Sequence, residues 1–382
     1  MIYYLAHYLQ EQAAGTEWAD ALSVLRVFRY ITVRSAGAAL TALLLSLWLG
    51  PRMIAWLKEL KFGQNYRDRA EEQGDLKARI LSKKGTPTMG GLMIVLVLDF
   101  TALLWTQWNE LVVLTLLSVV VLAGLGFYDD YAKITRQSSA GATSVVKLTV
   151  QTTLALFIGV YLWRLPATAT LITEVHVPFF KHPVLTGAGL AGLAVAVLTI
   201  VGSSNAVNLT DGLDGLAIGC TVIVALVFLI MTYIAGNAIA ARYLQVPHVP
   251  GAGELTVICA ALIGAGLGFL WFNCHPAQVF MGDTGSLALG GALGLIALLI
   301  HQPFVLVIAG GVFVAEAASV MMQTGWFKLT RLRTGTGQRV FLKAPLHHHF
   351  EVKGWYESQV VTRFYILSIV CALVALSTLK LR

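Results

Sequence analysis

Residues 111–131 read LVVLTLLSVVVLAGLGFYDDY: an uncharged stretch, 111–128, runs straight into two adjacent aspartates, Asp129 and Asp130. About 20 consecutive apolar residues cross a bilayer as a helix, so this stretch is a candidate span. A charge close to hydrocarbon is costly and tends to be kept for function, so the paired aspartates at its end become candidate functional residues.

Similar apolar stretches occupy 36–57, 88–106, 147–163, 184–204, 214–235, 255–272, 284–300, 303–324 and 360–379, which predicts about ten transmembrane helices in an all-α, polytopic integral membrane protein. Composition agrees. Hydrophobic residues make up 57% of the 382 residues and charged residues 12%, and the mean hydropathy is +0.73; a soluble domain would carry about a quarter charged residues. No second domain is expected within 1–382. The net charge of +7 would suggest nucleic acid in a soluble chain, but here it follows from topology. Lys and Arg concentrate in the connections after the first stretch (Lys58, Lys61, Arg67, Arg69, Lys77, Arg79, Lys83, Lys84), the third (Lys133, Arg136) and the ninth (Lys328, Arg331, Arg333, Arg339, Lys343, Lys353). The positive-inside rule makes these connections cytoplasmic and puts both termini outside. Arg26, Arg29 and Arg34 run against that rule. An interfacial helix within the extracytoplasmic segment 1–35 would let them snorkel to headgroups. No removable signal peptide is expected, since Met1 to Leu9 lacks a basic start and a small-residue cleavage site. Cys220, Cys259, Cys274 and Cys371 lack metal-ligand spacing and read as free thiols.

On this topology the notable carboxylates collect on one face of the membrane. Asp129 and Asp130 close the third stretch, Asp211 and Asp214 follow the fifth in NAVNLTDGLDG (205–215), and Asp283 precedes the eighth in FMGDTGS (280–286). Adjacent carboxylates disfavour each other's charge unless a cation compensates, and Mg²⁺ bound by oxygens suits that need. A single Asp pair could equally be a solvated helix end; three such loops on one face argue for a site. Gly212, Gly215, Gly282 and Gly285 would let backbone amides approach a phosphate, with Lys83, Lys133 and Lys147 as nearby cations. In APLHHHFE (344–351), His347, His348 and His349 cannot all face one way, and recognition of a diphosphate competes with a zinc site and with an exposed basic loop. Asn273 and Phe280 could read and stack a nucleobase or be ordinary loop residues. Glu316 and Asp99 stand alone within spans, and for Glu316 a helix-packing hydrogen bond is expected.

Taken together, KKGTPTMGG (83–91), Asp129-Asp130 with Lys133 and Lys147, the 208–215 segment, the Asp283 loop and the triple histidine resemble the phospho-N-acetylmuramoyl-pentapeptide transferases, a branch of the polyprenyl-phosphate phosphosugar transferases. The aspartate motifs are those of the wider superfamily; 85–91 and 345–351 resemble the muramoyl branch. Ile80, Gln137 and Ala142 depart from its pattern, and the first 35 or so residues are unmatched.

The resemblance implies ten transmembrane helices and a homodimer in the bacterial cytoplasmic membrane, with the active site facing the cytoplasm. It implies Mg²⁺, a UDP-MurNAc-pentapeptide donor and an undecaprenyl phosphate acceptor, with UMP released, and no nucleic-acid partner. By position, it makes Asp283 the metal ligand, Asp129 the base for the lipid phosphate, Asp130 a supporting carboxylate and His348 part of the catalytic set. Lys83, Thr88, Lys133, Lys147, Asn208, Asp211, Asp214, Asn273, Phe280, His347 and His349 are then substrate-binding. A UDP-N-acetylhexosamine transferase with the same lipid would share the aspartates. A transporter would place its polar groups on broken helices near mid-membrane.

Overall fold

A computed structural model describes residues 1–60, 85–136 and 141–381, which form helices and their connections. The helices that matter here are α1 (Ile2–Ala13), α2 (Ile31–Glu59), α3 (Gly91–Trp105), α4 (Glu110–Thr135), α5 (Ser144–Arg164), α6 (Gly189–Thr210), α7 (Leu216–Ala235), α8 (Gly253–Asn273), α9 (Gly282–Leu299), α10 (Pro303–Ala309), α11 (Gly311–Thr334), α12 (Leu346–Val352) and α13 (Glu357–Ser377), with a few other helices of four to seven residues between them. All ten apolar stretches of the sequence fall on these helices. Among the described residues, eight helices are long and apolar enough to span a membrane, α10 and α11 pass together as a pair bent by 85°, and α3 is a shorter apolar helix.

The bundle is organised around α9, whose residues are buried from Thr284 to Leu299. It packs against α4, α6 and α3, while α8 packs between α2 and α7. Both α8 and α9 are apolar all round, as buried helices should be. In α9 the small residues Gly285, Ser286, Ala288, Gly290, Gly291 and Gly294 allow neighbouring backbones to approach, which is how helices associate where no hydrophobic drive separates them from lipid. Consequently the first turn of α9, with Asp283, is held from several sides.

The departures of α4, α6 and α9 from the apolar boundaries matter for the site. α4 continues past residue 128 to Thr135, so Asp129, Asp130 and Lys133 are helical side chains rather than loop residues. α6 begins and ends later than 184–204 and carries Asn208 in its last turn. α9 starts at Gly282, which places Asp283 in its first turn. Hydropathy marks where the chain leaves hydrocarbon, whereas a helix ends where its backbone groups find caps. Asn109, for example, starts α4 by accepting from the Val112 amide at 2.9 Å.

The N-terminal segment requires a correction. Arg29 is exposed and donates to Gln10, but Arg34 does not snorkel to a headgroup. It is 1% exposed and grips both carboxylate oxygens of Glu254 at the start of α8. All four cysteines are free.

Candidate active site

The end of α4 presents Asp129 and Asp130 in consecutive positions, which on a helix point about 100° apart. Asp130 faces the start of α9. Its carboxylate accepts from the amides of Asp283 (3.2 Å) and Thr284 (3.0 Å) and from the Thr284 hydroxyl (2.8 Å), so it caps α9 from outside that helix. An anion at a helix N-terminus is favoured by the unpaired amides and the helix dipole. Gly126, one turn earlier, permits the approach: a Cβ there would lie 2.2 Å from the Asp283 carbonyl oxygen. Asp129 turns the other way and accepts from the Ala142 amide at 2.7 Å.

Asp129, Asp130 and Asp283 each offer a carboxylate oxygen within 4.8 Å of the others. Two lysines lie among them. Lys133 pairs with Asp129 and lies 3.3 Å from Asp283; Lys147, from the first turn of α5, pairs with Asp283 and lies 2.9 Å from Asp129. Asn208 completes the set by donating to Asp283 at 3.0 Å and to Ser286 at 2.8 Å. The three carboxylates differ in access: the Asp283 side chain is 15% exposed, those of Asp129 and Asp130 only 1%. Asp211, just beyond α6, feels the same field. Burial, and then the charges of Asp283 and Asp130, push its carboxyl up to about 8. With Asp211 protonated at neutral pH, the three carboxylates of Asp129, Asp130 and Asp283 face two ammonium groups, leaving one negative charge without a protein counterion.

Around this centre the remaining predicted residues divide into those that frame it and those that tie loops together. The 85–91 segment is zipped to the Asp283 loop: Phe280 N donates to Pro87 O (2.9 Å), Gly90 N to Phe280 O (2.8 Å) and Gly91 N to Met281 O (2.9 Å). Thr88 is buried beside Gly282, and Phe280 is half-buried. Asn273 has both ends of its amide engaged, accepting from Gly215 N at 3.1 Å and donating to Val279 O at 2.8 Å. Asp214 accepts from Ala277 N and lies 3.2 Å from His275 Nδ1, while its own amide donates to Glu357. Lys83 lies outside the described residues.

Family comparisons agree with this assembly. Residues 112–301 match the family described as Glycosyl transferase family 4, and residues 83–95 match the phospho-N-acetylmuramoyl-pentapeptide-transferase signature 1. The chain is 52% identical over 367 residues to the phospho-N-acetylmuramoyl-pentapeptide-transferase of Opitutus terrae, covering 95% of this chain and 98% of the relative. The proteins of that name from Methylacidiphilum infernorum and Desulfotalea psychrophila are each 48% identical over the whole of both chains. The chain belongs to the phospho-N-acetylmuramoyl-pentapeptide transferase family.

In this transferase the three histidines take three directions. His347 is 1% exposed, lies 3.1 Å from Glu316 Oε2 and packs against Gly212; its amide donates to Glu316 Oε1 at 3.1 Å, the helix-packing role expected of that glutamate. His348 pairs with Glu351 at 2.8 Å, and His349 Nδ1 accepts from Leu342 N at 3.1 Å. They converge on no common point, so the described geometry offers no three-histidine zinc site. Burial pushes His348 down to about 4, which leaves its ring neutral near pH 7. Nothing in the sequence pattern marked His275 or Glu357. Both reach the Asp214 loop from distant positions, and only the fold brings them there. Thr284 and Ser286 stood inside a recognised motif, but their partners Asp130 and Asn208 could not be read from it.

Proposed function

We propose that the transferase moves phospho-MurNAc-pentapeptide from UDP-MurNAc-pentapeptide to undecaprenyl phosphate, yielding lipid I and UMP, the first membrane step of peptidoglycan synthesis. The observation that carries this reading is the Asp129–Asp130–Asp283 cluster with its two lysines at one end of the bundle, in a chain about half identical to its relatives along their full lengths. The cytoplasmic face of the bacterial inner membrane is the proposed side, because Lys133, Arg136 and the Lys- and Arg-rich connection 328–353 lie at that end. A homodimer is the proposed assembly.

The donor set fits Mg²⁺: it is oxygen-only, crowded with carboxylates and carries more negative charge than its two lysines balance. Asp283 is the proposed ligand, being the most accessible of the three. Mg²⁺ when bound supplies charge neutralisation for the donor diphosphate and the departing UMP. The protein's own groups do the rest. Lys133 and Lys147 offer ammonium charge to phosphate oxygens, and Asp130 holds the first turn of α9 so that Asp283 keeps its place. An oxygen of the lipid phosphate attacks the phosphorus bearing the sugar; that P–O bond forms as the bridge to the UMP phosphorus breaks. Asp129 accepts any proton left on the attacking phosphate. That phosphate is already largely ionised near neutral pH, so the base contributes modestly. Asp129→Asn should lower kcat by about 10²-fold, the low end of what a general base contributes, read as UMP release at saturating substrates.

Because Asp211 sits at about 8, it holds a proton at neutral pH that a divalent cation must expel. The Mg²⁺ concentration for half-saturation should therefore rise as pH falls from 9 to 7, by up to about tenfold per unit for one proton. A titration independent of pH would remove Asp211 from the site. The function itself is tested by offering purified protein Mg²⁺, undecaprenyl phosphate and either UDP-MurNAc-pentapeptide or UDP-GlcNAc. Turnover of the muramoyl donor is expected, and activity with UDP-GlcNAc alone would overturn the assignment.

A further inference from the structure

Beneath the carboxylate site, a second set of polar side chains joins the same three helices. Gln151 lies one turn beyond Lys147 on α5, Ser204 and Asn205 about one turn before Asn208 on α6, and Leu287 one turn beyond Asp283 on α9. Residues four apart share a helix face about 6 Å apart, so this layer repeats the site's contacts one turn deeper in the bundle. Gln151 Nε2 donates to Ser204 Oγ at 2.9 Å, and Ser204 Oγ donates to the Leu287 carbonyl at 2.9 Å. Asn205 Nδ2 donates to Gln151 Oε1 at 2.8 Å. Gln151 and Ser204 are both fully buried. Close backbone contact makes the link to α9 possible: a Cβ on Gly290 would lie 2.5 Å from the Ser203 carbonyl oxygen and 2.8 Å from the Ser204 Cα.

We propose that Gln151, Ser204 and Asn205 are positioning residues that fix the slide and rotation of α5 and α6 against α9. This rests on the transferase reading of the carboxylate site. Lys147 and Asn208 reach Asp283 from two separate helices, and apolar packing alone leaves the register between such helices weakly specified. Hydrogen bonds are directional, and each of these joins two of the three helices, or all three when taken through Ser204. A displacement of about 1 Å at a reacting site can cost on the order of 10²-fold in rate, so register here bears directly on turnover. Leucine or alanine could fill the same volume without burying amides and a hydroxyl, which shows what the polar layer adds: a fixed register.

The test compares Gln151→Met, Ser204→Ala and their double variant with Thr232→Val, all as full-length protein in nanodiscs. Thr232 makes a buried hydrogen bond of 3.0 Å to Thr256 between α7 and α8, away from the carboxylates. Each network variant should lower kcat about 10–100-fold, as loss of supporting contacts around a site commonly does. KM for both substrates should stay within about threefold, and the rise in melting temperature on adding Mg²⁺ without substrates should shrink. The double variant should be no worse than the weaker single variant by more than about twofold, because one broken link already frees the helices. Thr232→Val should lose comparable thermal stability with kcat within about twofold of the parent. Network variants with parental kcat, or a kcat loss matched by Thr232→Val, would overturn the proposal. Ser204→Ala, which removes a single oxygen, carries the test if Gln151→Met yields no folded protein. An inactive parent would instead sink the transferase reading.

Discussion

Asp283→Asn should abolish turnover, lowering UMP release by about 10³-fold or more, since the metal's contribution to such a transfer is several kcal/mol and each 1.36 kcal/mol is tenfold. The substitution keeps the shape of the side chain and removes its charge. What it leaves behind is a lysine pair, Lys133 and Lys147, that has lost one of its carboxylates, with Asn208 and the new amide both offering N–H groups. The site would then hold less negative charge where a divalent ion must compete with two ammonium groups. Helix α9 should still form, because its cap is made by Asp130 to the backbone amide of residue 283 and to Thr284, neither of which changes. Melting temperature should therefore stay close to the parent while activity disappears. Asp129→Asn gives the comparison: it should cost less, because a phosphate nucleophile needs little help from a base. Near-parental UMP release by Asp283→Asn at saturating Mg²⁺ would remove this residue from the metal site.

The membrane architecture was legible because it rests on long-range hydropathy. A stretch such as 111–128 has few alternatives in water, and nine of the ten apolar stretches fell on a single helix, while 303–324 is broken into α10 and α11 at an 85° bend that hydropathy does not register. The carboxylate cluster was legible in part, since three Asp-bearing motifs on one face had to meet somewhere. Their division of labour was not. Asp129 and Asp130 are chemically identical neighbours, and only the rotation of α4 sends one to the α9 amides and the other to Lys133 and Lys147. The histidines show the same limit. Three consecutive side chains had to diverge, but that His347 would turn inward to Glu316 depended on where α11 and α12 meet. Arg34 misled for a related reason. Its charge suggested a headgroup, and its partner Glu254 is more than two hundred residues away.

That pair supports the second large effect, on stability rather than activity. Glu254→Leu or Arg34→Met alone should destabilise the protein by about 3–5 kcal/mol, because each leaves the opposite charge buried without its counterion. Arg34 and Glu254 are 1% and 5% exposed, and Glu254 also accepts from the Gln107 amide at 2.7 Å, so the carboxylate ties α2 and α8 to the connection between α3 and α4. Removing both charges should behave differently. The Arg34→Met/Glu254→Leu double variant no longer desolvates two ions, and it should recover most of the loss of either single variant, retaining chiefly the cost of the Gln107 amide left without its acceptor, about 1–3 kcal/mol, beside the weaker contact of Arg34 with the Trp105 carbonyl. Activity per folded molecule should hardly change, since Glu254 opens α8 at the end opposite Asn273 and the carboxylate site. Thermal unfolding of the three variants in nanodiscs, with kcat for each, checks this. A double variant as unstable as either single would mean that the attraction between the charges exceeds their desolvation cost, and that this end of the bundle is held by electrostatics rather than by the packing around it; a double as unstable as the sum of the two would mean that the charges do not couple at all.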